Sequence, residues 1–174
     1  MTITIQRLDA QAIHTHLVAL VALLRDVVDN GSSVNFIAPL DTGVAAAFWE
    51  RVAGEVGASQ RIMLAAFDGE QIVGCVHLVL AMQPNGIHRA EVQKVLVLSS
   101  ARRQGIATRL MAAIEDEARA IGRRTLMLDT ERGSAGEKLY ERVGYTRVGV
   151  IPQFALDSTG SHFIDSVFFY KLLE

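Results

Sequence analysis

Apolar residues recur along the chain with two different periods, and these periods predict alternating strands and helices. Spacings of three and four residues predict helices over 10–28, from the capping Asp41 to about residue 56, over 106–121 and over 134–143. Short alternating or continuous apolar runs predict strands over 2–7, 61–67, 71–81, 90–98, 125–129, 146–151 and 163–172. The predicted element order is therefore βααβββαβαββ.

The connections between these elements predict one mixed α/β domain over residues 1–174. Asp68-Gly69-Glu70 joins two predicted strands and is typical of the turn in an antiparallel hairpin. The strand–loop–helix–strand crossover over 90–129 is typical of a parallel pair. We therefore expect a partly antiparallel central sheet flanked by helices. A chain of 174 residues is close to the usual size of one domain, about 150 residues.

Strand 90–98 has the most regular alternation of side chains. Successive residues of a strand point to opposite faces of the sheet. The sequence therefore predicts Val92, Lys94 and Leu96 on one face of the sheet, and Glu91 and Gln93 on the other.

The composition excludes several classes of protein. Hydrophobic residues make up 50% of the chain, too many for a disordered protein. The longest apolar run, residues 17–24, is far shorter than the stretch of about 20 residues that a membrane-spanning helix needs. Because no basic region precedes an apolar stretch in residues 1–5, we expect no signal peptide. The single cysteine, Cys75, permits no internal disulfide, and we expect a cytoplasmic protein.

Charge and hydropathy limit the partners of the chain. Its 17 Lys and Arg residues against 19 Asp and Glu residues give a net charge of -2. This balance argues against a general nucleic-acid binder, while one anionic small molecule at a local basic loop is compatible with it. The mean hydropathy of +0.26 fits either a buried contact in a homodimer or an apolar core with a modest surface. His14 and His16 face different sides of a predicted helix, and we expect no metal site.

The most informative segment is the loop between strand 90–98 and helix 106–121. It contains Arg102, Arg103 and Gly105 and leads directly into the helix. The first N–H groups of a helix have no internal acceptor and lie at the positive end of the helix dipole, so they bind phosphate. The loop contains neither the GxxxxGK[ST] motif of P-loop nucleotide-binding proteins nor the three-glycine motif of Rossmann dinucleotide-binding folds. The segment predicts a pyrophosphate site of another type, or an ordinary helix start with two solvated arginines.

Three segments, in order along the chain, resemble the signatures of the GNAT-type N-acetyltransferases. Arg102-x-x-Gly105-x-Ala107 matches the family's Q/R-x-x-G-x-G/A signature, Val95-Leu96-Val97 stands at the preceding strand end, and residues 139–145 resemble the family's LYxxxGF segment. The element order also resembles the family fold, so the resemblance covers essentially the whole chain. It implies a GNAT-like mixed sheet and an enzyme that uses acetyl-CoA.

Four further segments resemble the tabtoxin-resistance branch of this family, which acetylates an amino-acid β-lactam. They are residues 84–86, 89–94, 128–131 and 145–149. The family's usual asparagine, seven residues before the tyrosine, is replaced by Gly133, and this branch shares that departure. Because the loop Arg103-Gln104 and the C-terminal tail differ, the resemblance does not extend to the substrate.

The resemblance implies that the co-substrate acetyl-CoA lies in a V-shaped gap between two parallel strands, here 91–98 and 125–130. By similarity, the backbone of Val95, Leu96 and Val97 pairs with the pantetheine, and an N–H of Leu96 or Val97 stabilises the developing oxyanion. Also by similarity, the pyrophosphate is bound by the loop and the first helical turn, which consist of Arg102, Arg103, Gln104, Gly105, Ile106, Ala107 and Thr108.

The resemblance also implies three catalytic side chains. Tyr140 stands where the family has the general acid that protonates the departing thiolate. Glu91 and Asp129, on the two strands beside the gap, are candidates for the general base or for binding the amine. Each has a structural alternative. In these alternatives, Tyr140 packs in the core, Glu91 is an exposed strand residue opposite Lys94 or Arg89, and Asp129 caps the end of its strand.

Three further residues are candidates for contact with the acceptor. Asn35 and Phe36 lie between the first two predicted helices, a region that covers the acceptor site in this family, and His88 is an alternative base. The leading hypothesis is direct transfer of an acetyl group to a primary amine of a small, amino-acid-like molecule, with toxin or antibiotic resistance as one role. A protein or peptide N-acetyltransferase and a non-catalytic CoA-binding module stay open as alternatives.

Overall fold

Seven strands form one sheet in the computed structural model of the chain, which describes residues 2–174. The strands are β1 (Ile3–Leu8), β2 (Arg61–Asp68), β3 (Gln71–Leu80), β4 (Arg89–Val97), β5 (Thr125–Glu131), β6 (Thr146–Leu156) and β7 (Phe163–Leu172). Their order across the sheet is β1-β2-β3-β4-β5-β7-β6, and within residues 2–174 only the β4–β5 pair is parallel. The partly antiparallel α/β sheet predicted from the sequence is confirmed.

Helices cover both faces of this sheet and bury a separate hydrophobic core on each. The helices α1 (Ala10–Thr15), α2 (Leu17–Asp29) and α3 (Thr42–Gly57) pack on one face, with Trp49 and Leu24 fully buried. The helices α4 (Ile106–Ala120) and α5 (Ala135–Arg142) pack on the other, around Leu110 and Phe169. Burial of each such side chain contributes about 1.5–3 kcal/mol. None of the helices in residues 2–174 is long and apolar enough to span a membrane.

The helix predicted over 10–28 is interrupted at His16. The His16 backbone, with φ -98° and ψ 14°, ends α1, and its ring packs edge-on against Phe67 of β2 with ring centres 5.5 Å apart. The interruption lets α1 pack against α3 while α2 packs against α3, β3 and β4. The observed order, βαααβββαβαββ, therefore has one more helix than predicted.

A β-bulge in β4 overturns the regular alternation predicted for that strand. Lys94 and Val95 together oppose the single residue Val76 of β3, and Lys94 has a φ of +52°. An extra residue exchanges the two faces of the strand beyond it. Val92 therefore packs on the α4 face, whereas Leu96 packs on the face covered by α1, α2 and α3.

Strand β6 continues to Leu156, beyond the predicted end at residue 151. It is an edge strand, and Pro152, which has no N–H to donate, is tolerated there because it interrupts no hydrogen bonds between strands. Its pairing with β7 shifts register between Ile151 and Ala155, and the Gln153 N–H donates to Asp165 Oδ1 at 3.1 Å within that bulge. The longer strand extends the β6–β7 hairpin across the sheet edge, toward the segment after α2.

The parallel strands β4 and β5 pair over only a short distance and then separate. The paired positions in the described chain are Arg89–Thr125, Ala90–Leu126 and Glu91–Met127. Beyond them, β4 stays paired with β3 and β5 stays paired with β7. Each strand is thus held by its other neighbour, and a gap opens between their C-terminal halves.

Gly74 of β3 lies where β4 and α4 meet, and it generates a stability prediction. A Cβ at this position would be 2.7 Å from the Leu96 carbonyl oxygen and 3.3 Å from Leu110 Cδ1. We expect Gly74→Ala to lower the free energy of unfolding by about 1–3 kcal/mol, the usual cost of overpacking.

The matched control for this prediction is Gly54→Ala. Gly54 lies on the exposed side of α3, and a Cβ there meets nothing within 4 Å. We expect it to raise the free energy of unfolding by about 0.5–1 kcal/mol, because alanine loses less backbone entropy in a helix. Urea unfolding measures both changes, and an unchanged or higher midpoint for Gly74→Ala would contradict the predicted overpacking.

Candidate active site

The gap between β4 and β5 opens into a cleft of about 980 Å³. Its walls come from the second half of β4, the end of β5, the starts of α4 and α5, and residues 30–35 after α2. The β6–β7 hairpin closes a further side with Phe154, Ala155 and Ile164. Residues far apart in the sequence therefore meet in one cleft, and they meet there because β4 and β5 separate.

One wall of the cleft is the open edge of β4. Val95 and Val97 line it, while the Leu96 side chain is buried in the core beneath α1, α2 and α3. Because the β4–β5 ladder ends at Glu91, the backbone groups on this edge have no strand partner within residues 2–174. Backbone amides need hydrogen-bond partners, so an extended ligand with amide groups fits this edge as an added strand.

The first turn of α4 forms a second wall. Gly105 is the N-cap residue with φ +78°, and no side chain caps the helix. The N–H groups of residues 106–108 have no acceptor in the described chain, since the first intrahelical bond joins the Arg109 N–H to the Gly105 carbonyl at 3.1 Å. Free amides at the positive end of a helix dipole form a phosphate site.

Cationic side chains surround this helix start. Those that line the cleft near α4 and α5 are Arg102, Arg103, Arg132, Lys138 and Arg142. Arg102 is anchored by the Val97 carbonyl at 3.4 Å and by Ser32 Oγ at 3.3 Å. Arg142 donates to Thr108 Oγ1 at 3.4 Å and so brings a charge from α5 to the first turn of α4. This end of the cleft is therefore suited to a polyanion, although the whole chain is slightly acidic.

Tyr140 lines the cleft from α5 and is only 8% exposed. The helix is held close to β5 at Gly136, where a Cβ would lie 2.7 Å from Thr130 Oγ1, and it is capped by Ser134. Burial, reinforced by the charge of Asp129, raises the pKa of the Tyr140 phenol well above its ordinary value. The phenol therefore keeps its proton at neutral pH.

Asp129 lines the cleft from the end of β5. Ser166 of β7 is 4% exposed, and its Oγ lies 2.6 Å from Asp129 Oδ2 and 3.0 Å from the Thr130 carbonyl oxygen. A hydroxyl has one proton and donates to one acceptor at a time, and here the shorter contact is to the carboxylate. Ser166 therefore fixes the direction in which Asp129 faces.

Glu91 is the last residue of β4 that pairs with β5, and a partly buried polar network holds its carboxylate. Gln93 Nε2 donates to Glu91 Oε1 at 2.8 Å, and Arg61 donates to Gln93 Oε1 at 3.5 Å. Arg61 also pairs with Glu55 at 2.6 Å and donates to His77 Nδ1 at 2.9 Å. A guanidinium can only donate, so the His77 proton is on Nε2, and burial lowers the pKa of this neutral ring.

Most of the side chains expected at the site line the cleft. They are Glu91, Asp129, Tyr140, Asn35, Val95, Val97, Arg102, Arg103, Gly105, Ile106, Ala107 and Thr108. Gln104 is exposed outside the cleft, the Leu96 side chain is buried, and Phe36 packs against Phe48 with ring centres 5.3 Å apart.

The structure does not bring His88 to the cleft. It is exposed at the end where β4 and β5 are still paired, and its carbonyl accepts the Thr125 N–H at 3.1 Å. The gap opens at the opposite ends of these strands, which corrects the expected place of His88 beside the acceptor.

No motif pointed to several other residues of the site. Ser166 and Arg142 come from elements that follow the loop signature, and only the folded chain brings them beside Asp129 and Thr108. Lys94 did give a signal, because a lysine on the predicted apolar face of β4 conflicts with a regular strand. The bulge resolves that conflict.

A family model described as "Acetyltransferase (GNAT) family" matches residues 30–145, more than half of the chain. The chain belongs to the GNAT acetyltransferase family. Because members of this family use acetyl-CoA, the protein is an acetyl-CoA-dependent N-acetyltransferase.

Two solved structures of similar fold carry names that refer to different acceptors. A ribosomal-protein-alanine N-acetyltransferase from Brucella melitensis is 23% identical, with a TM-score of 0.78, and the match covers 98% of this chain and 99% of that chain. The protein yncA of Salmonella typhimurium, solved with its cofactor acetyl-CoA, is 18% identical, with a TM-score of 0.78, over 100% and 95% of the chains. A protein described as a phosphinothricin N-acetyltransferase is 18% identical, with a TM-score of 0.77, over 99% of both. These similarities establish the fold of the acetyltransferase.

The chemistry of the cleft fits acetyl-CoA, which supplies an acetyl group activated as a thioester. The open edge of β4 suits the amides of the pantetheine, and the free amides and cations at the start of α4 suit its phosphates. Within residues 2–174, no group of three or more His, Cys, Asp or Glu side chains is placed to hold a metal ion.

Gly105→Glu tests the first turn of α4. We expect the affinity of this acetyltransferase for CoA to fall about tenfold or more, because a carboxylate there opposes a phosphate and occupies the space for its approach. Gly122→Glu is the matched control: Gly122 follows α4 with φ +73°, Gly105 has φ +78°, and a Cβ at either meets nothing within 4 Å. Calorimetry measures both. Equal affinity losses in the two variants, or unchanged affinity in a folded Gly105→Glu, would contradict a specific role for this turn.

Proposed function

We propose that this acetyltransferase moves the acetyl group of acetyl-CoA directly to the primary amine of a small, amino-acid-like molecule. The observation that carries the proposal is the pair of carboxylates Glu91 and Asp129, which line one cleft from the two separating strands. Two carboxylates facing a common space attract an ammonium and offer a route for its proton. The cationic end of the same cleft leaves room for the phosphates of the donor.

The cofactor contacts follow from the two walls already described. The backbone of β4 around Val95 and Val97 pairs with the pantetheine amides, and the first turn of α4 holds the pyrophosphate with Arg102 and Arg103. An N–H on the open edge of β4 also stabilises the negative charge that develops on the acetyl oxygen during transfer. Apart from the Val97 carbonyl, which accepts from Arg102 at 3.4 Å, these backbone groups have no partner in the described chain.

The amine loses a proton before it attacks, since an ammonium has no free electron pair. Glu91 or Asp129, directly or through water, accepts that proton. Ser166 and Gln93 hold the two carboxylates in place by hydrogen bonds of 2.6 and 2.8 Å. Positioned carboxylates of this kind both bind the cation and remove its proton.

Tyr140 is the proposed general acid. Its phenol is protonated at neutral pH even at the ordinary pKa of about 10, and burial raises that pKa further. It also forms no hydrogen bond with another side chain in residues 2–174, so its proton is available to the thiolate that leaves as the acetyl group moves. The adjacent cap at Ser134 and the close approach at Gly136 fix its position.

A contact between the segment after α2 and the β6–β7 loop favours a small acceptor. The Ala38 N–H, in the segment after α2, donates to the Ser158 carbonyl of the β6–β7 loop at 2.7 Å. A Cβ at Gly160 of that loop would lie 3.1 Å from Ile37 Cδ1, so the two segments are in contact. A peptide acceptor needs an open groove between such segments, and here they touch.

A thiol-release assay with acetyl-CoA tests the proposal against both alternatives. The panel contains amino acids, polyamines, aminoglycosides, amino-acid-like toxins and peptides. We expect release with small, amino-acid-like primary amines. Acetylation of peptides without acetylation of free amino acids would favour a protein acceptor, while CoA binding with no release would favour a non-catalytic module.

Tyr140→Phe tests the general acid with a matched control nearby. We expect kcat to fall by about 10²–10⁴-fold with little change in KM for acetyl-CoA, the usual contribution of acid catalysis. Tyr145→Phe removes a buried hydroxyl that has no hydrogen-bond partner within residues 2–174, on a ring whose centre is 6.1 Å from that of Tyr140. Its kcat should stay near the wild-type value. Full activity in Tyr140→Phe would mean that this tyrosine only packs.

Glu91→Gln and Asp129→Asn separate the base from a binding role. If the carboxylate takes the proton, activity of the variant is limited by the fraction of free amine, and the loss shrinks as pH rises toward the pKa of the amine. If it only binds the ammonium, the acceptor KM rises with less change in kcat. A pH–rate profile of each variant distinguishes the two. Wild-type kcat and KM in both variants at every pH would place the base elsewhere.

A further inference from the structure

Lys94 occupies a position that acetyl transfer, as proposed above, does not use. It lies in the bulge of β4, is partly buried and lines the cleft. Its ammonium lies 5.8 Å from the centre of the Phe36 ring and 5.7 Å from that of Phe48. With residues 2–174 it forms no ion pair and no hydrogen bond through the ammonium. The Lys94 ammonium is therefore held near two aromatic rings and is available to bind an anion.

The neighbouring carboxylates do not pair with this ammonium: the charge of Asp129 raises the pKa of Lys94 but forms no ion pair with it in residues 2–174, and Glu55 is engaged elsewhere. Arg51 and Arg61 both pair with Glu55, at 3.1 and 2.6 Å, so two guanidiniums already share this carboxylate. Burial, with the nearby Arg61, lowers the pKa of Lys94 to about 8, and the ammonium is still mostly charged at neutral pH. An uncompensated cation in a partly buried place is unfavourable, and a bound carboxylate relieves that cost.

We propose that Lys94 is the specificity-determining residue of the acceptor site and binds the carboxylate of an amino acid. The inference rests on the proposed function, in which Glu91 and Asp129 receive the amine. A zwitterion then satisfies both ends of the site, with its ammonium at these acids and its carboxylate at Lys94. An amine without a carboxylate leaves Lys94 without a partner, so such an amine binds less tightly than an amino acid.

The experiment compares amino acids with the amines that remain when their carboxylate is removed. The pairs are L-lysine with cadaverine, L-ornithine with putrescine, and L-phenylalanine with phenethylamine. Thiol release gives kcat and KM for the wild type, Lys94→Met and Lys94→Arg. Methionine keeps an unbranched chain without the charge, and arginine keeps the charge. Circular dichroism confirms that each variant is folded.

We expect the wild type to prefer the amino acid about tenfold or more in kcat/KM in at least one pair, mainly through KM. Lys94→Met should lose that preference, and Lys94→Arg should retain part of it. The difference in amine basicity within a pair is the same for every variant, so it cancels when the ratios are compared. A preference that survives in Lys94→Met, or a wild type with no preference for the amino acid in any pair, would overturn the role of Lys94.

Failure of the proposed function gives a different result. If no member of any pair is acetylated although CoA binds, these amines are not acceptors and the proposed function is wrong for them. Calorimetric titration of the same compounds into the CoA-bound protein then tests Lys94, because it gives the ratio of the affinities for the amino acid and the amine of each pair. Tighter binding of amino acids by the wild type than by Lys94→Met supports the assignment. Absence of binding by every amino acid overturns it.

Discussion

A parallel ladder that ends after its first few pairs is the constraint on which the rest of this molecule depends. Strands β4 and β5 separate beyond Glu91 and Met127, and each stays in the sheet through its other neighbour. Unpaired backbone groups inside a protein are costly, so the open edge of β4 is stable only against water or a ligand that completes the ladder. The same separation brings the starts of α4 and α5 to the two sides of one cleft.

The bulge at Lys94 is the second feature that this arrangement requires. A left-handed backbone at a residue other than glycine costs about 1–2 kcal/mol, so it persists only where the surroundings hold it. The β3 pairings on both sides of Lys94 and the contact of Cys75 Sγ with its carbonyl at 3.7 Å hold it here. The bulge turns Leu96 into the core below α3 and leaves Val95 and Val97 beside the cleft. One local strain therefore shapes both the open edge of β4 and the part of the cleft that Lys94 lines.

The limits of each element could be predicted from the sequence wherever they depend on local preferences. Hydrophobic periods, the caps at Asp9 and Asp41 and the turn at Gly69 are local, and the structure agrees with them closely. The interruption at His16 and the bulge at Lys94 depend on partners in other strands, so no local pattern predicts them, although a lysine on the apolar face of β4 signals an irregularity there. The loop 102–108 was recognisable because its amides and charges are contiguous in the sequence, whereas Ser166 reaches Asp129 only through the β5–β7 pairing.

The two ends of the cleft consist of different groups. This difference explains why the end at the start of α4 is easier to predict from the sequence than the end lined by β4, β5 and β7. The end of the cleft proposed for the cofactor offers free backbone groups at the start of α4, which almost any residue supplies, provided that Gly105 permits the turn. The end proposed for the acceptor is lined by side chains from β4, β5, β7 and the segment after α2. We expect substitutions there to change the acceptor without disturbing the frame. Proteins 18% to 23% identical to this chain keep its fold while their names refer to different acceptors. We therefore expect a few side chains, and not the fold, to decide the acceptor of this acetyltransferase, and Glu91, Lys94 and Asp129 are the residues proposed for that role.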